Sequence, residues 1–125
     1  VSALSKILRD VEGNGLMFWC PGCDGAHMIR HGAGEGPRWS WNGNVEKPTF
    51  SPSILVRGNE LTPKGRADLE LWRADLGRRR PAPEFETVPS VCHSFVTDGR
   101  IQFLADCTHH LAGQTVDIPE WDDDD

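Results

Sequence analysis

The chain has 125 residues, 38% of them hydrophobic and 26% charged, with 13 Gly and 9 Pro, which bounds it to one small, turn-rich domain burying roughly two thirds of its unfolded surface. The net charge of −6 includes the terminal run Asp122 to Asp125, so the body carries only about −2, and the Arg78-Arg79-Arg80 cluster has no interleaved aromatics; nucleic acid is not an expected partner. No stretch reaches the ~20 apolar residues of a membrane span and Val1 to Asp10 lacks the pattern of a signal peptide, so the chain reads as cytoplasmic, with no membrane partner.

In chain order, Leu4, Ile7, Leu8 and Val11 repeat at helical spacing behind Ser2, and predict a short amphipathic helix that Gly13 to Gly15 ends. Leu16 to Trp19 and Ala26 to His31 then read as two strands flanking a turn that carries Cys20 and Cys23, the layout of a zinc-ribbon-like knuckle. Trp39 to Gly43 suggests a strand and tight turn, and Ser53 to Arg57 another strand, with Pro48 and Pro52 holding the intervening segment to an edge or loop. Thr62 can cap a second helix with Pro63 at its first position, a stripe of Leu69, Trp72 and Leu76, and Gly77 as its stop. Residues 78–89 form a Pro-rich connector expected to be mobile inside a single domain spanning 1–121, and 122–125 an acidic tail.

Asp98-Gly99 between two β-prone runs is the signature of a two-residue type I′ hairpin. Counting outward from it places Thr97 opposite Arg100, Val96 opposite Ile101 and Ser94 opposite Phe103. Cys92 and Cys107 then share one face, and His93 lies on the other. The expected fold is α+β and β-rich: a small antiparallel sheet with the knuckle and hairpin, plus two short helices.

In a reducing compartment, four cysteines including a C-x-x-C point to metal ligands. Two intervening residues let one turn aim both sulfurs at a single ion, so the expected site is zinc held by Cys20, Cys23, Cys92 and Cys107. His27, His93, His109 and His110 lie close enough in sequence to replace either of the last two. Four buried free thiols are the bland alternative. A redox role for Cys20-Pro21-Gly22-Cys23 is disfavoured by the lack of a βαβ pattern.

Phe18-Trp-Cys-Pro-Gly-Cys23 with His27, Trp39-Ser-Trp-Asn-Gly43, Lys47 to Ile54, Cys92-His-Ser-Phe95, Asp98 to Phe103 and Asp106-Cys-Thr-His109 through Val116 together resemble a family of small zinc-binding proteins of unknown function from tailed phages and prophages. That resemblance covers residues 16–119. More distant relatives accompany bacterial ubiquitin-like conjugation genes, which implies a metal-dependent hydrolase role.

Two functions follow as expectations. The first, and preferred, is a zinc-stabilised phage module without enzymatic activity that binds a host or phage protein in the bacterial host cytoplasm, with Trp39, Trp41 and Trp121 free for contacts; a site of four thiolates is closed, which favours a scaffold. The second is a zinc-dependent hydrolase, peptidase or isopeptidase-like, with a mixed Cys/His site in which His93 and His109 are ligands and Glu46 is the general base. A serine nucleophile at Ser51 or Ser53 is weighed and set aside, because the segment lacks the glycines of a nucleophile elbow. Nothing in the sequence sets an oligomeric state.

Overall fold

The structure is a computed structural model that describes residues 2–75 and 82–121. Four strands, β1 (Ser2–Ala3), β2 (Arg9–Val11), β3 (Gly15–Cys20) and β4 (Gly25–Arg30), form an antiparallel sheet in that order. A second sheet runs β5 (Ser40–Trp41), β6 (Phe50–Leu61), β7 (Thr87–Thr97), β8 (Arg100–Phe103) and β9 (Thr115–Asp117), with α1 (Pro63–Ala74) between β6 and β7 in the chain. The β-rich expectation holds, and the described residues contain this one α-helix.

The chain divides into two compact units: Val1–Val56 with Val91–Asp125, and Arg57–Ser90. In the first, Leu16, Phe18, Cys20 and Ile29 from one sheet form a single buried cluster with Phe50, Ile54, Cys92, Val96, Ile101 and Phe103 from the other. Alternation explains the choice, since every second residue of β3 and β7 points inward. Burying each of the larger side chains stabilises the fold by roughly 1.5–3 kcal/mol.

In the second unit, Thr62 Oγ1 accepts from the Gly65 N–H at 3.0 Å, capping α1 with Pro63 at its start as expected. Gly65 is required there, because a Cβ would collide with the Glu86 carbonyl. Trp72 meets Phe85 edge-on at 6.2 Å. Leu76 and Gly77 lie outside the described residues, as do residues 78–81 of the connector; Thr87 already opens β7.

The helix expected over Leu4 to Val11 is not formed. Ser5 Oγ accepts from the Leu8 N–H at 3.0 Å, the Leu4 N–H bonds the Leu8 carbonyl, and the chain turns into β2, where Arg9 pairs with Met17. A two-turn helix is marginal in water, so an available strand edge decides the outcome. Trp121 fixes this loop, donating from Nε1 to the Ile7 carbonyl at 3.0 Å and packing on Trp19. It is therefore a structural residue, not a free contact.

The Asp98-Gly99 hairpin has the expected register, with Thr97 opposite Arg100 and Ser94 opposite Phe103. Positive φ angles of 51° and 77° at the two turn residues match a type I′ turn. No described helix is long and apolar enough to cross a membrane.

Candidate active site and metal centre

Both candidate sites grow from strand alternation in the first unit. On β6, Phe50 and Ile54 are buried, which turns Ser53 and Leu55 to the opposite face. On β7, the neighbouring strand, Cys92, Ser94 and Val96 are buried, and His93 and Phe95 face the other way.

The outward pair meets. Ser53 Oγ and His93 Nε2 are 3.1 Å apart, and His93 Nδ1 is 3.1 Å from Asp106 Oδ2. With the carboxylate accepting from Nδ1–H, the Nε2 lone pair faces the serine hydroxyl, which donates to it. At these distances the three groups could act as a nucleophile, a general base and an orienting acid.

Asp106 reaches His93 because pairing of β7 with β8 stops at Phe103. The Leu104 N–H still bonds the His93 carbonyl at 2.9 Å, and the chain then turns, so that the Cys107 N–H bonds the Leu104 carbonyl. Ser53 is held from its other side: Trp39 Nε1 donates to the Ser53 carbonyl at 3.2 Å. The His93 side chain is 26% exposed and that of Asp106 57%. The His93–Asp106 hydrogen bond is thus partly exposed to solvent and supplies orientation more than charge.

The inward face carries the second group. The ligand atoms of Cys20, Cys23, Cys92 and His109 all lie within 4.8 Å of one another and could hold a metal ion. Cys20 and Cys92 sulfurs are 3.9 Å apart, against about 3.8 Å for two thiolates on one tetrahedral zinc. His109 Nε2 is buried and has no hydrogen-bond partner, an orphaned donor atom of the kind a metal satisfies. Its ring stands over Gly22, where a Cβ would collide with it. The Leu111 N–H bonds Nδ1 at 3.2 Å; a metal on Nε2 would place the ring proton on Nδ1 and end that bond.

The thiols are polarised as a set. The hydrogen bond from Cys92 holds the Cys20 thiol down to about 4, against the opposing effect of burial and with help from His27. Burial, followed by the Cys20 charge, pushes Cys23 up to about 11. Cys92 is raised because it donates to Cys20 and is buried. At neutral pH one thiolate therefore sits among thiols.

Of the residues expected to bind metal, Cys20, Cys23 and Cys92 come together, and His109 takes the place expected for Cys107. The Cys107 sulfur lies instead against the His93 backbone. His93 faces away from the cluster. His27 is buried, stacks on Phe18 at 5.8 Å and serves Cys20 as a neighbour, while His110 is exposed. Glu46 is exposed in the loop before β6, its N–H on Asn44 Oδ1, and belongs to neither group. Asp106, which bonds His93, is the candidate site residue that motif reading missed. Its signal was the hairpin count carried three residues past Phe103.

A family model described as bacterial ubiquitination-like system serine protease (BubE) matches residues 3–104. The chain belongs to this family. Within the BubE match lie Ser53 and His93, with Asp106 and His109 just beyond its end. No curated protein and no solved structure matches the chain significantly.

Membership in BubE, a serine protease family, overturns the expectation of a binding module without enzymatic activity and favours the hydrolase alternative. It also bears out the link to bacterial ubiquitin-like conjugation. The geometry around His93 differs from the metal-dependent version. His93 faces a serine hydroxyl where a metal ligand was expected.

Proposed function

We propose that this protein is a serine hydrolase acting on a protein substrate, with Ser53 as nucleophile, His93 as general base and acid, and Asp106 as the group that orients His93. The Ser53–His93–Asp106 geometry carries this reading, and the family description supports it. Triads are identified by geometry and role, so the chain order Ser, His, Asp is no objection.

In the first half-reaction Ser53 Oγ attacks the scissile carbonyl as His93 Nε2 takes its proton. Asp106 holds the Nδ1 proton and stabilises the imidazolium. Nε2 then protonates the leaving amine or alkoxide, which departs and leaves an acyl ester on Ser53. In the second half-reaction His93 deprotonates water, which releases the acid and restores the hydroxyl.

The substrate class we infer is the C-terminal acyl bond, amide or ester, of a bacterial ubiquitin-like modifier, in precursor or conjugate. The support is the family's ubiquitination-like system. Incubation with a ubiquitin-like protein fused through its C-terminus to a reporter should release the reporter with wild-type protein and not with Ser53→Ala. Equal cleavage by the two would rule the reading out.

The metal we infer is zinc, because three thiols and one imidazole at these spacings form a closed tetrahedral donor set. Bound there, zinc supplies cross-linking of the fold and no chemistry on the substrate. The four donors come from the turn between β3 and β4, from β7, and from the segment after β8. β7 and the segment after β8 also carry His93 and Asp106.

A further inference from the structure

Cys107, expected as a metal ligand, has another position. Its sulfur is 3.2 Å from the His93 backbone nitrogen and 3.2 Å from the His93 carbonyl oxygen, so the N–H donates to Sγ and the thiol donates to the carbonyl. The residue is buried, 8% exposed. Both bonds are part-buried; loss of the thiol would leave the His93 N–H without this partner, while the His93 carbonyl would keep the Leu104 N–H at 2.9 Å.

Asp106, the residue just before Cys107, bonds the His93 side chain at Nδ1. One dipeptide therefore grips one residue twice, by side chain and by backbone. Thr108 extends the grip: its N–H bonds the Val91 carbonyl at 2.9 Å, and its Oγ1 accepts from the Val91 N–H at 3.0 Å. Beyond Phe103 the thiol gives the His93 N–H an acceptor, beside the Leu104 N–H that serves the His93 carbonyl.

We propose that Cys107 is a positioning residue for the catalytic histidine: its thiol fixes the His93 backbone relative to Asp106, and thereby the aim of Nε2 at Ser53. This rests on the serine hydrolase reading above. A displacement of about 1 Å at a catalytic group can lower a rate about 100-fold. A side chain of similar bulk without a hydrogen-bonding group should thus impair the chemical step alone. A serine should preserve both bonds in shorter form.

The test is the rate of covalent labelling of the full-length protein by a fluorophosphonate, whose concentration dependence separates the maximal rate from the half-saturating concentration. Metal content is measured by elemental analysis on the same samples. Cys107→Val should lower the maximal rate at least tenfold, with half-saturation within twofold and metal content equal to wild type. Cys107→Ser should stay within threefold of wild type and provides the rescue if the valine variant fails to fold. Wild-type labelling by Cys107→Val, a tenfold loss in a folded Cys107→Ser, or metal loss in either variant would overturn the proposal. Ser53→Ala separates the two levels: persistent labelling there defeats the hydrolase reading itself, whereas its abolition with unimpaired Cys107→Val defeats only the role of Cys107.

Discussion

Cys92 and His93 are consecutive on β7 and serve opposite faces of it: the thiol meets Cys20 at 3.9 Å on the buried side, and the imidazole meets Ser53 at 3.1 Å on the other. The alternation of a β-strand thus separates the cysteine cluster from the Ser53–His93 contact within one dipeptide. Anything that shifts one of these residues along or out of the strand shifts the other.

Removal of the nucleophile should separate activity from folding. Ser53→Ala deletes a hydroxyl whose described side-chain bond is to His93, so unfolding free energy should change by no more than about 1 kcal/mol while hydrolysis falls at least about 1,000-fold. Chemical denaturation and turnover of a ubiquitin-like fusion, run in parallel, check both halves.

Asp106→Asn should be damaging but not lethal. A buried triad aspartate costs about 10,000-fold when replaced by asparagine, but the Asp106 side chain is 57% exposed and its charge is screened. The expected loss in maximal rate is about 100-fold to 1,000-fold, with half-saturation unchanged. A loss below fivefold in steady-state kinetics would remove Asp106 from the triad.

Metal binding should release two protons near pH 7. Cys20, held down to about 4, is already a thiolate, whereas Cys23, pushed up to about 11, and the raised Cys92 are thiols that must deprotonate to ligate. The sign follows directly: lower pH adds competing protons and weakens binding. Apparent zinc affinity should therefore rise about 100-fold per pH unit between pH 6 and 8. Competition titrations against a chelator at several pH values read this slope.

Gly22→Ala should lower metal retention without altering a ligand. The added methyl would meet the His109 ring and push the imidazole off the cluster. An apparent affinity loss of about 10-fold or more is expected. Elemental analysis after dialysis against a weak chelator would show it as reduced metal per chain.

Much of the scaffold was legible in the residues. Asp98-Gly99 set the β7–β8 register, the C-x-x-C marked the turn between β3 and β4, and Thr62-Pro63 marked the start of α1. The first helix was misread because Leu4, Ile7, Leu8 and Val11 satisfy a helical period equally well when a Ser5-capped turn feeds Leu8 into the core. The same hairpin count turned His93 away from Cys92 correctly. Carried past Phe103, it also puts Asp106 on the His93 face and Cys107 in the buried cluster with Cys92, but it does not show that the Cys107 sulfur bonds the His93 backbone or that His109 joins the other three cysteines. Ser53 carried no local motif, since the imidazole that meets it comes from a neighbouring strand 40 residues away and not from a glycine elbow. Such a partnership is set by the sheet order, which no local pattern encodes.

Peptide mapping by mass spectrometry after fluorophosphonate treatment identifies the nucleophile. A single adduct on Ser53 is expected, absent from His93→Ala and independent of brief chelator exposure. An adduct on another residue, or Ser53 labelling that survives loss of His93, would contradict it.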